Sequence, residues 1–224
     1  MNIEKFKAEG KEATLYHSKG SGSPLILLNN YAGDGKSVME AAEQLEEKDF
    51  NLLCVGNLNW DQDMTPWDCP MISPKDTPCM GGADGYLKFL LEDILPECIK
   101  RVDGKPSHIS IAGYSLAGLF ALYALYHTDV FERAASISGS LWFPDFKEYV
   151  FSHEMKKKPE KLYLSLGDKE ARTRNPYIQA VQENTESIVG HFRRTGIDVT
   201  FEMNPGNHFK NAALRSAKGI LAII

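Results

Sequence analysis

Short apolar runs alternate along the chain with longer segments of helical periodicity. Seven short runs predict strands: EATLYHS, PLILLNN, NLLCVGN, SHISIAG, RAASIS, KLYLSLG and DVTFEMN. Four longer segments carry apolar residues at three- and four-residue spacing and predict helices: KSVMEAAEQLEE, GADGYLKFLLEDILPECIKRV, SLAGLFALYALYH and NPYIQAVQENTESIVGHFRRTG. Nearly continuous apolar runs are typical of strands covered on both faces. The pattern predicts an α/β protein with a mostly parallel central sheet, helices on both faces and one or two antiparallel edge strands.

The last long helix has the clearest boundaries. Asn175 suits its N-cap, Pro176 suits its first position, and the pattern ends near Gly196. Residues 57–82, in contrast, form one long irregular segment, and loops of that length are usually functional or mobile. No linker or internal repeat divides the 224 residues, which suffice for one large core. We therefore expect a single domain over residues 1–224, without a large separate lid.

Composition narrows the class of protein further. Hydrophobic residues make up 43% of the chain and charged residues 25%, as in ordinary soluble globular proteins. The net charge of −5 gives no basic surface for nucleic acid. No apolar run approaches the roughly 20 residues that cross a bilayer, and the N-terminal stretch has no apolar signal core. We expect a cytoplasmic protein with no membrane or nucleic-acid partner; a homo-oligomer stays open.

The four cysteines lack the spacing of zinc ligands. Cys54 lies in an apolar strand and Cys98 in a helical pattern, so both are expected to be core thiols. Cys69 and Cys79 flank the proline-rich stretch CPMISPKDTPC, where they could approach each other, and we expect them reduced in the cytoplasm. No metal and no cofactor are predicted.

The segment IAGYSLAGL, residues 111–119, places a serine between a predicted strand and a predicted helix. The pattern G-x-S-x-A-G around Ser115 differs by one residue from the G-x-S-x-G of a nucleophile elbow, a sharp turn that exposes a reactive serine. Small residues at positions 113, 117 and 118 fit such a turn, because larger side chains would collide with the neighbouring strand or helix. The N–H of Leu116 would then point at the oxyanion formed during attack on a carbonyl. The alternative is a serine that only caps a tightly packed helix.

A nucleophilic serine needs a base, and in proteins that carry such an elbow the order along the chain is serine, acid, histidine. Of six histidines, His208 lies in MNPGNHFK, a turn between the last predicted strand and the final helix, where an α/β-hydrolase presents its base. The acid should follow the preceding strand, where LYLSLGDKEARTRNP offers two carboxylates. Spacing favours Glu170, because a residue a few positions past the strand reaches back over the sheet more easily than Asp168 on the tight turn. Asp168 stays the alternative.

Together these motifs resemble the esterase group of α/β-hydrolases that includes the enterochelin (ferric siderophore) esterases and is related to esterase D and the feruloyl esterases. GYSLAG is similar to that group's G-x-S-x-G-G, SISGSLWF to its S-x-S-G-S-x-W-W, GDKE to its G-x-x-E/D, and PGNHF to its P-G-x-H. The motifs occur in the group's order and the resemblance covers nearly the whole chain. It implies an α/β-hydrolase fold with Ser115 as nucleophile, Glu170 as acid and His208 as base.

The resemblance also implies that the loop after PLILLNN supplies a second oxyanion N–H. Tyr31 is the favoured donor and Asn30 the alternative. The chain departs from the group at two places. Ala117 replaces the usual glycine of the elbow, and NNYAG replaces the H-G or D-G dipeptide often seen at the oxyanion loop.

Aromatic and acidic residues near these motifs are candidates for a substrate pocket beside Ser115, since rigid aromatic side chains line many small-molecule sites. The candidates are Trp60, Asp63, Trp67 and Trp142. The alternative is that the aromatics only anchor the long loop onto the sheet. Arg172 and Arg174 are the evident cations near the site, while the loop is acidic, which argues against a highly anionic substrate.

The sequence thus predicts a cofactor-independent serine hydrolase that cleaves a carboxylic ester of a small or medium-sized substrate through an acyl-enzyme. An acyltransferase on the same fold is one alternative, since a dry pocket can admit an alcohol and exclude water. A non-catalytic ligand-binding module is another, because a fold alone does not fix a function.

Overall fold

The computed structural model describes residues 2–71 and 77–224, and within them ten strands form two sheets. In chain order the strands are β1 (Ile3–Ala8), β2 (Lys11–Tyr16), β3 (Leu25–Asn29), β4 (Asn51–Gly56), β5 (Asp68–Cys69), β6 (Cys79–Met80), β7 (Ile109–Tyr114), β8 (Arg133–Ile137), β9 (Lys161–Gly167) and β10 (Asp198–Asn204). The main sheet has the order β1-β2-β4-β3-β7-β8-β9-β10, and β5 pairs with β6. All seven predicted strands are present.

The main sheet is parallel from β4 to β10, and β2 runs antiparallel to both of its neighbours. The prediction of antiparallel strands at the N-terminal edge is therefore confirmed. The edge strand β1 was not predicted, because its side chains alternate only between exposed and half-buried and bury no apolar face. A two-residue turn joins it to β2, and Glu9 and Gly10 there have φ angles of 45° and 79°. Such a pair of positive φ angles matches the right-handed twist of a hairpin.

Helices cover both faces of the main sheet. They are α1 (Lys36–Leu45), α2 (Trp60–Asp63), α3 (Ala83–Phe89), α4 (Leu95–Ile99), α5 (Leu116–His127), α6 (Phe146–Ser152), α7 (Pro176–Gln179), α8 (Val181–Arg194) and α9 (Ala212–Ala222). Alternate residues of one strand enter different cores: Leu25 and Leu27 face the core under α5, whereas Ile26 and Leu28 face the core under α1 and α9. The continuous apolar runs of the sequence therefore reflect burial on both faces.

Two predicted helices are interrupted. Residues 90–94 form a π-helical turn between α3 and α4, shortly before Pro96. Proline has no N–H to donate and its ring crowds the carbonyl four residues earlier, so a regular α-helix cannot run through it undisturbed. The last long pattern is divided at Ala180 into α7 and α8. Asn175 caps α7 as predicted, since its Oδ1 accepts from the N–H of Tyr177 at 3.0 Å.

The predicted irregular segment, residues 57–82, is held down by a tryptophan. The Trp67 indole packs on Phe143 and Tyr149, with ring centroids 5.7 and 5.5 Å away, and its Nε1 donates to the carbonyl of Pro144 at 3.1 Å. Cys69 and Cys79 are direct partners between β5 and β6, so they approach each other as predicted. Residues 72–76 of this segment lie outside the described residues.

The described ranges contain no separate lid domain and no helix long and apolar enough to cross a membrane. The thiols of Cys54 and Cys98 are buried in the core, as predicted. Burial raises the pKa of each to about 12, which keeps both thiols protonated near neutral pH.

Candidate active site

Ser115 occupies a sharp turn between the end of β7 and the start of α5. Its φ and ψ angles are 62° and −125°, a strained conformation for a residue with a side chain. The turn is fixed by its backbone, because the Ser115 N–H donates to Ile137 at 3.1 Å and its carbonyl accepts from Gly118 at 2.9 Å. The Ser115 side chain makes no cap hydrogen bond to α5. The hydroxyl is therefore available for another role, contrary to the helix-cap alternative.

Small residues make this turn possible. A β-carbon at Gly113 would lie 2.2 Å from the backbone carbon and oxygen of Ala117, so strand β7 and helix α5 touch there. A β-carbon at Gly118 would lie 3.0 Å from Gly139 and from the hydroxyl of Ser136. Ala117 itself is fully buried, and its methyl group fits this contact without a glycine.

We expect Gly113→Ala to lower the free energy of unfolding by about 3 kcal/mol, because the new methyl group overlaps backbone atoms that cannot move independently. Urea denaturation followed by circular dichroism measures the loss. Gly85→Ala is the matched control, since a β-carbon there meets nothing within 4 Å on an exposed turn of α3. It should be neutral or stabilise by about 0.5–1 kcal/mol. Equal stability of the two variants would contradict the packing argument.

Three side chains from separate strand ends form one hydrogen-bonded chain. His208 Nε2 lies 3.0 Å from Ser115 Oγ, and His208 Nδ1 lies 2.7 Å from Glu170 Oε2. Ser115 follows β7, Glu170 follows β9 and His208 follows β10. Because these strands are parallel, their carboxyl ends meet at one edge of the sheet, which brings together residues 93 positions apart. The structure thus unites the predicted serine, acid and histidine.

Glu170 and not Asp168 contacts the imidazole. Glu170 is buried, which would raise the pKa of its carboxyl. The hydrogen bond and charge of His208, the hydroxyl of Ser138 and the N–H of Gly167 outweigh burial, and the pKa lies below its ordinary value. Asp168 is exposed, and its Oδ1 accepts from the N–H of Gly206 at 2.6 Å. Asp168 therefore braces the turn that leads to His208.

Two of the three candidate oxyanion donors remain available. The N–H groups of Leu116 and Tyr31 make no hydrogen bond to the described residues, and both residues line the cleft that contains Ser115. The N–H of Asn30 donates to Val55 at 3.0 Å and is therefore occupied. Tyr31 is 71% exposed, and its ring packs edge-on against Trp60 with centroids 5.1 Å apart.

The cleft over Ser115 has a volume of about 630 Å³ and includes two of the four predicted pocket residues. Trp60 and Trp142 line it, together with the exposed ring of Phe209. Trp67 does not, because it is used to anchor its loop. Asp63 also lies away from the cleft walls: its carboxylate accepts from Lys11 and from the N–H of Asn59.

Charged side chains of both signs stand at the cleft. Lys169 and Arg172 lie on the loop after β9, and Asp61 lies on α2, where it accepts from Thr77. Arg174, the other predicted cation, is not among the cleft residues. Within residues 2–71 and 77–224, no three His, Cys, Asp or Glu side chains converge as metal ligands would.

Two further polar residues touch this site and were missed by sequence reasoning. Ser140 Oγ lies 3.3 Å from Ser115 Oγ, and the Ser140 N–H donates to the Ser115 carbonyl at 3.0 Å. Arg215 lies on α9, is 2% exposed and donates to Glu170 Oε1 at 3.1 Å. The sequence held a signal for each: Ser140 lies in the motif SISGSLWF, and Arg215 falls on the same helical face as the apolar residues of ALRSAKGILA.

The sheet order, the elbow and the Ser–His–Glu arrangement define an α/β-hydrolase fold. The family model described as "Putative esterase" matches residues 15–212, so the chain belongs to this esterase family and is a hydrolase that acts on esters. The uncharacterized protein YbbA of Bacillus subtilis (strain 168) is 25% identical over 211 residues, which cover 87% of this chain and 83% of YbbA.

Solved structures with the same fold include two hydrolases. The siderophore hydrolase EstB from Aspergillus nidulans has a TM-score of 0.76 at 21% identity, with 99% of this chain and 95% of EstB covered. An IroE-like serine hydrolase from Shewanella oneidensis has a TM-score of 0.78 at 17% identity, with 98% and 78% covered. At these identities the likeness concerns the fold.

Proposed function

We propose that the protein is a serine esterase whose nucleophile is Ser115. The observation that carries the proposal is the unbroken chain of contacts from the Ser115 hydroxyl through His208 to Glu170, with distances of 3.0 and 2.7 Å. A serine hydroxyl is a weak nucleophile until a neighbouring base removes its proton, and this chain provides that base and its orienting acid.

In the proposed acylation step, Ser115 Oγ attacks the carbonyl carbon of the ester while its proton passes to His208 Nε2. Glu170 holds the imidazole through Nδ1 and stabilises the imidazolium that forms. Collapse of the tetrahedral intermediate breaks the bond to the alcohol, which leaves with the proton from His208. The acyl group stays on Ser115 Oγ. Water then attacks this acyl-enzyme, again assisted by His208, and releases the carboxylic acid.

The N–H groups of Leu116 and Tyr31 are the proposed donors to the oxyanion. Neither N–H donates a hydrogen bond to a described protein group. The Leu116 N–H lies at the start of α5, where the helix dipole favours negative charge. Donors of this kind act because they are fixed before the charge develops.

The cleft supports an ester of small or medium size with an apolar or aromatic portion. Its volume of about 630 Å³ is in the ordinary range for small-molecule sites. Trp60 and Trp142 are its proposed aromatic walls. The structural relative EstB is described as a siderophore hydrolase. In this cleft, Asp61 offsets part of the positive charge of Lys169 and Arg172, which argues against a highly anionic substrate. Ser115 and His208 are both partly exposed, which favours water as the acyl acceptor.

A fluorophosphonate probe tests the nucleophile directly. We expect the wild-type protein to be labelled, the label to map to the peptide containing Ser115, and Ser115→Ala to take up none. Ser140→Ala is the matched control, because it removes the neighbouring hydroxyl of the same cleft and should still be labelled at Ser115. Equal labelling of wild type and Ser115→Ala, or of neither, would refute the assignment.

A further inference from the structure

An arginine is buried behind the proposed catalytic residues. Arg215 lies on α9 with 2% of its surface exposed. A guanidinium stays charged at every ordinary pH, and its burial is unfavourable unless acceptors surround it. Arg215 is also absent from the cleft walls. Its position therefore requires an explanation within the protein.

Its acceptors include groups on all three segments that carry the proposed catalytic residues, and also the hydroxyl of Ser138, directly after β8, at 3.1 Å. Nη1 donates to Glu170 Oε1 at 3.1 Å and to the hydroxyl of Tyr114, next to Ser115, at 3.3 Å. Nη2 donates to the carbonyl of Pro205, three residues before His208, at 3.2 Å. The Tyr114 hydroxyl in turn donates to the carbonyl of His208 at 2.5 Å.

The two carboxylate oxygens of Glu170 contact different side chains. Oε2 faces His208 Nδ1 at 2.7 Å, while Oε1 accepts from Arg215 at 3.1 Å and from the N–H of Gly167 at 2.6 Å. A lone buried carboxylate would strongly favour the protonated form of the adjacent imidazole. A fixed cation on its far side opposes this effect by Coulomb repulsion.

Lys169, Arg172 and Lys210 also lie near His208, but all three are exposed to solvent. Glu202 on β10 is paired with Lys218 on α9, and it also accepts from the hydroxyl of Tyr163. Asp168 is exposed and bound to the N–H of Gly206. Burial raises the pKa of Tyr114, which keeps that hydroxyl neutral. Arg215 is therefore the buried cation that acts directly on Glu170.

We propose that Arg215 is a positioning residue that joins the Glu170 and His208 loops and offsets the charge of Glu170 on the side away from the imidazole. The proposal rests on the proposed function, because it assigns Glu170 and His208 the roles of acid and base. The substrate-free enzyme loses activity in acid when its base becomes protonated. The acidic limb of kcat/KM therefore reports how far the charge of Glu170 is offset.

The experiment is the pH profile of kcat/KM for a p-nitrophenyl ester. In Arg215→Met the acidic limb should move up by about one pH unit, since an imidazole beside an unopposed carboxylate holds its proton more tightly. In Glu170→Gln the limb should move down, because the anion is gone. Opposite directions distinguish charge from damage to the fold, which would lower kcat without moving the limb.

Two variants complete the test. Arg215→Lys keeps the charge but not the forked contacts, so its limb should stay in place while kcat falls about tenfold at an unchanged KM. It decides the case if Arg215→Met does not fold, and wild-type kcat in Arg215→Lys would then overturn the proposal. Lys218→Met is the matched control, because it removes a partly exposed cation from the same helix, and its limb should stay in place.

The outcomes separate the two proposals. If the wild-type protein is neither labelled at Ser115 nor active on esters, the proposed function fails. If the wild type is labelled and active but folded Arg215→Met keeps both its kcat and its acidic limb, only the inference about Arg215 fails.

Discussion

Replacing His208 with alanine is expected to reduce kcat for ester hydrolysis by a factor of about 10⁴ or more, with little change in KM. The imidazole lies 3.0 Å from Ser115 Oγ and is placed to take the proton during attack and return it to the leaving alcohol. Without it the serine hydroxyl has only the hydroxyl of Ser140 as a hydrogen-bond partner among the described side chains, and a hydroxyl is not a base of useful strength. Steady-state kinetics with a p-nitrophenyl ester measure the loss, and added imidazole should restore part of the rate by entering the vacated space.

His191→Ala is the matched control for this loss. His191 lies on α8, stacked against Phe151 with ring centroids 4.8 Å apart, and is not among the cleft residues. Its removal should change kcat by less than about twofold. Residual activity of the His208 variant close to that of the His191 variant would show that His208 is not the base.

Glu170→Gln should lose about 10³- to 10⁴-fold in kcat, whereas Asp168→Asn should lose less than about threefold. The amide of glutamine is uncharged, so it no longer stabilises the imidazolium, and its NH₂ can face Nδ1 and favour the wrong tautomer. Asparagine at position 168, in contrast, keeps the oxygen that accepts from the N–H of Gly206. The two substitutions are equally conservative in shape, so kinetics on purified variants compares the carboxylates directly.

The ranking of these two variants decides the acid. A larger loss for Asp168→Asn would transfer that role to Asp168, even though Glu170 holds the contact at 2.7 Å. Thermal melting of both variants guards against a misfolded protein, since Glu170 is buried with Arg215 and its neutralisation leaves that cation without its anionic partner.

Much of the fold was predictable because strands that are buried on both faces have apolar residues at nearly every position. Strands β3, β4, β7, β8 and β9 are buried on both faces almost throughout, so a nearly continuous apolar run such as PLILLNN predicts a buried strand. Strand β1 was not predicted, since IEKFKA lacks a continuous apolar run and buries neither face fully. The interruption before Pro96 was also missed, because apolar periodicity continues through a π-helical turn.

The proposed site was predictable where chain order and local motifs carry the information. Ser115, Glu170 and His208 each follow a strand in the order that parallel strands bring together. The pocket was less predictable, because tryptophans that wall a cleft and tryptophans that anchor a loop look alike in sequence. Trp142 reached the cleft and Trp67 did not. Arg215 was missed because its partners are 10 to 101 residues away in the chain.

The position of β10 has a consequence for how the protein acquires activity. Among the described strands β10 pairs with β9 alone, and His208 follows it, so we expect the imidazole to reach Ser115 only after this edge of the sheet has formed. Contacts between such distant positions are slow to form during folding. After dilution from urea, ester hydrolysis should therefore recover more slowly than the helical circular-dichroism signal. The recovery rate of hydrolysis would then report the last step of folding.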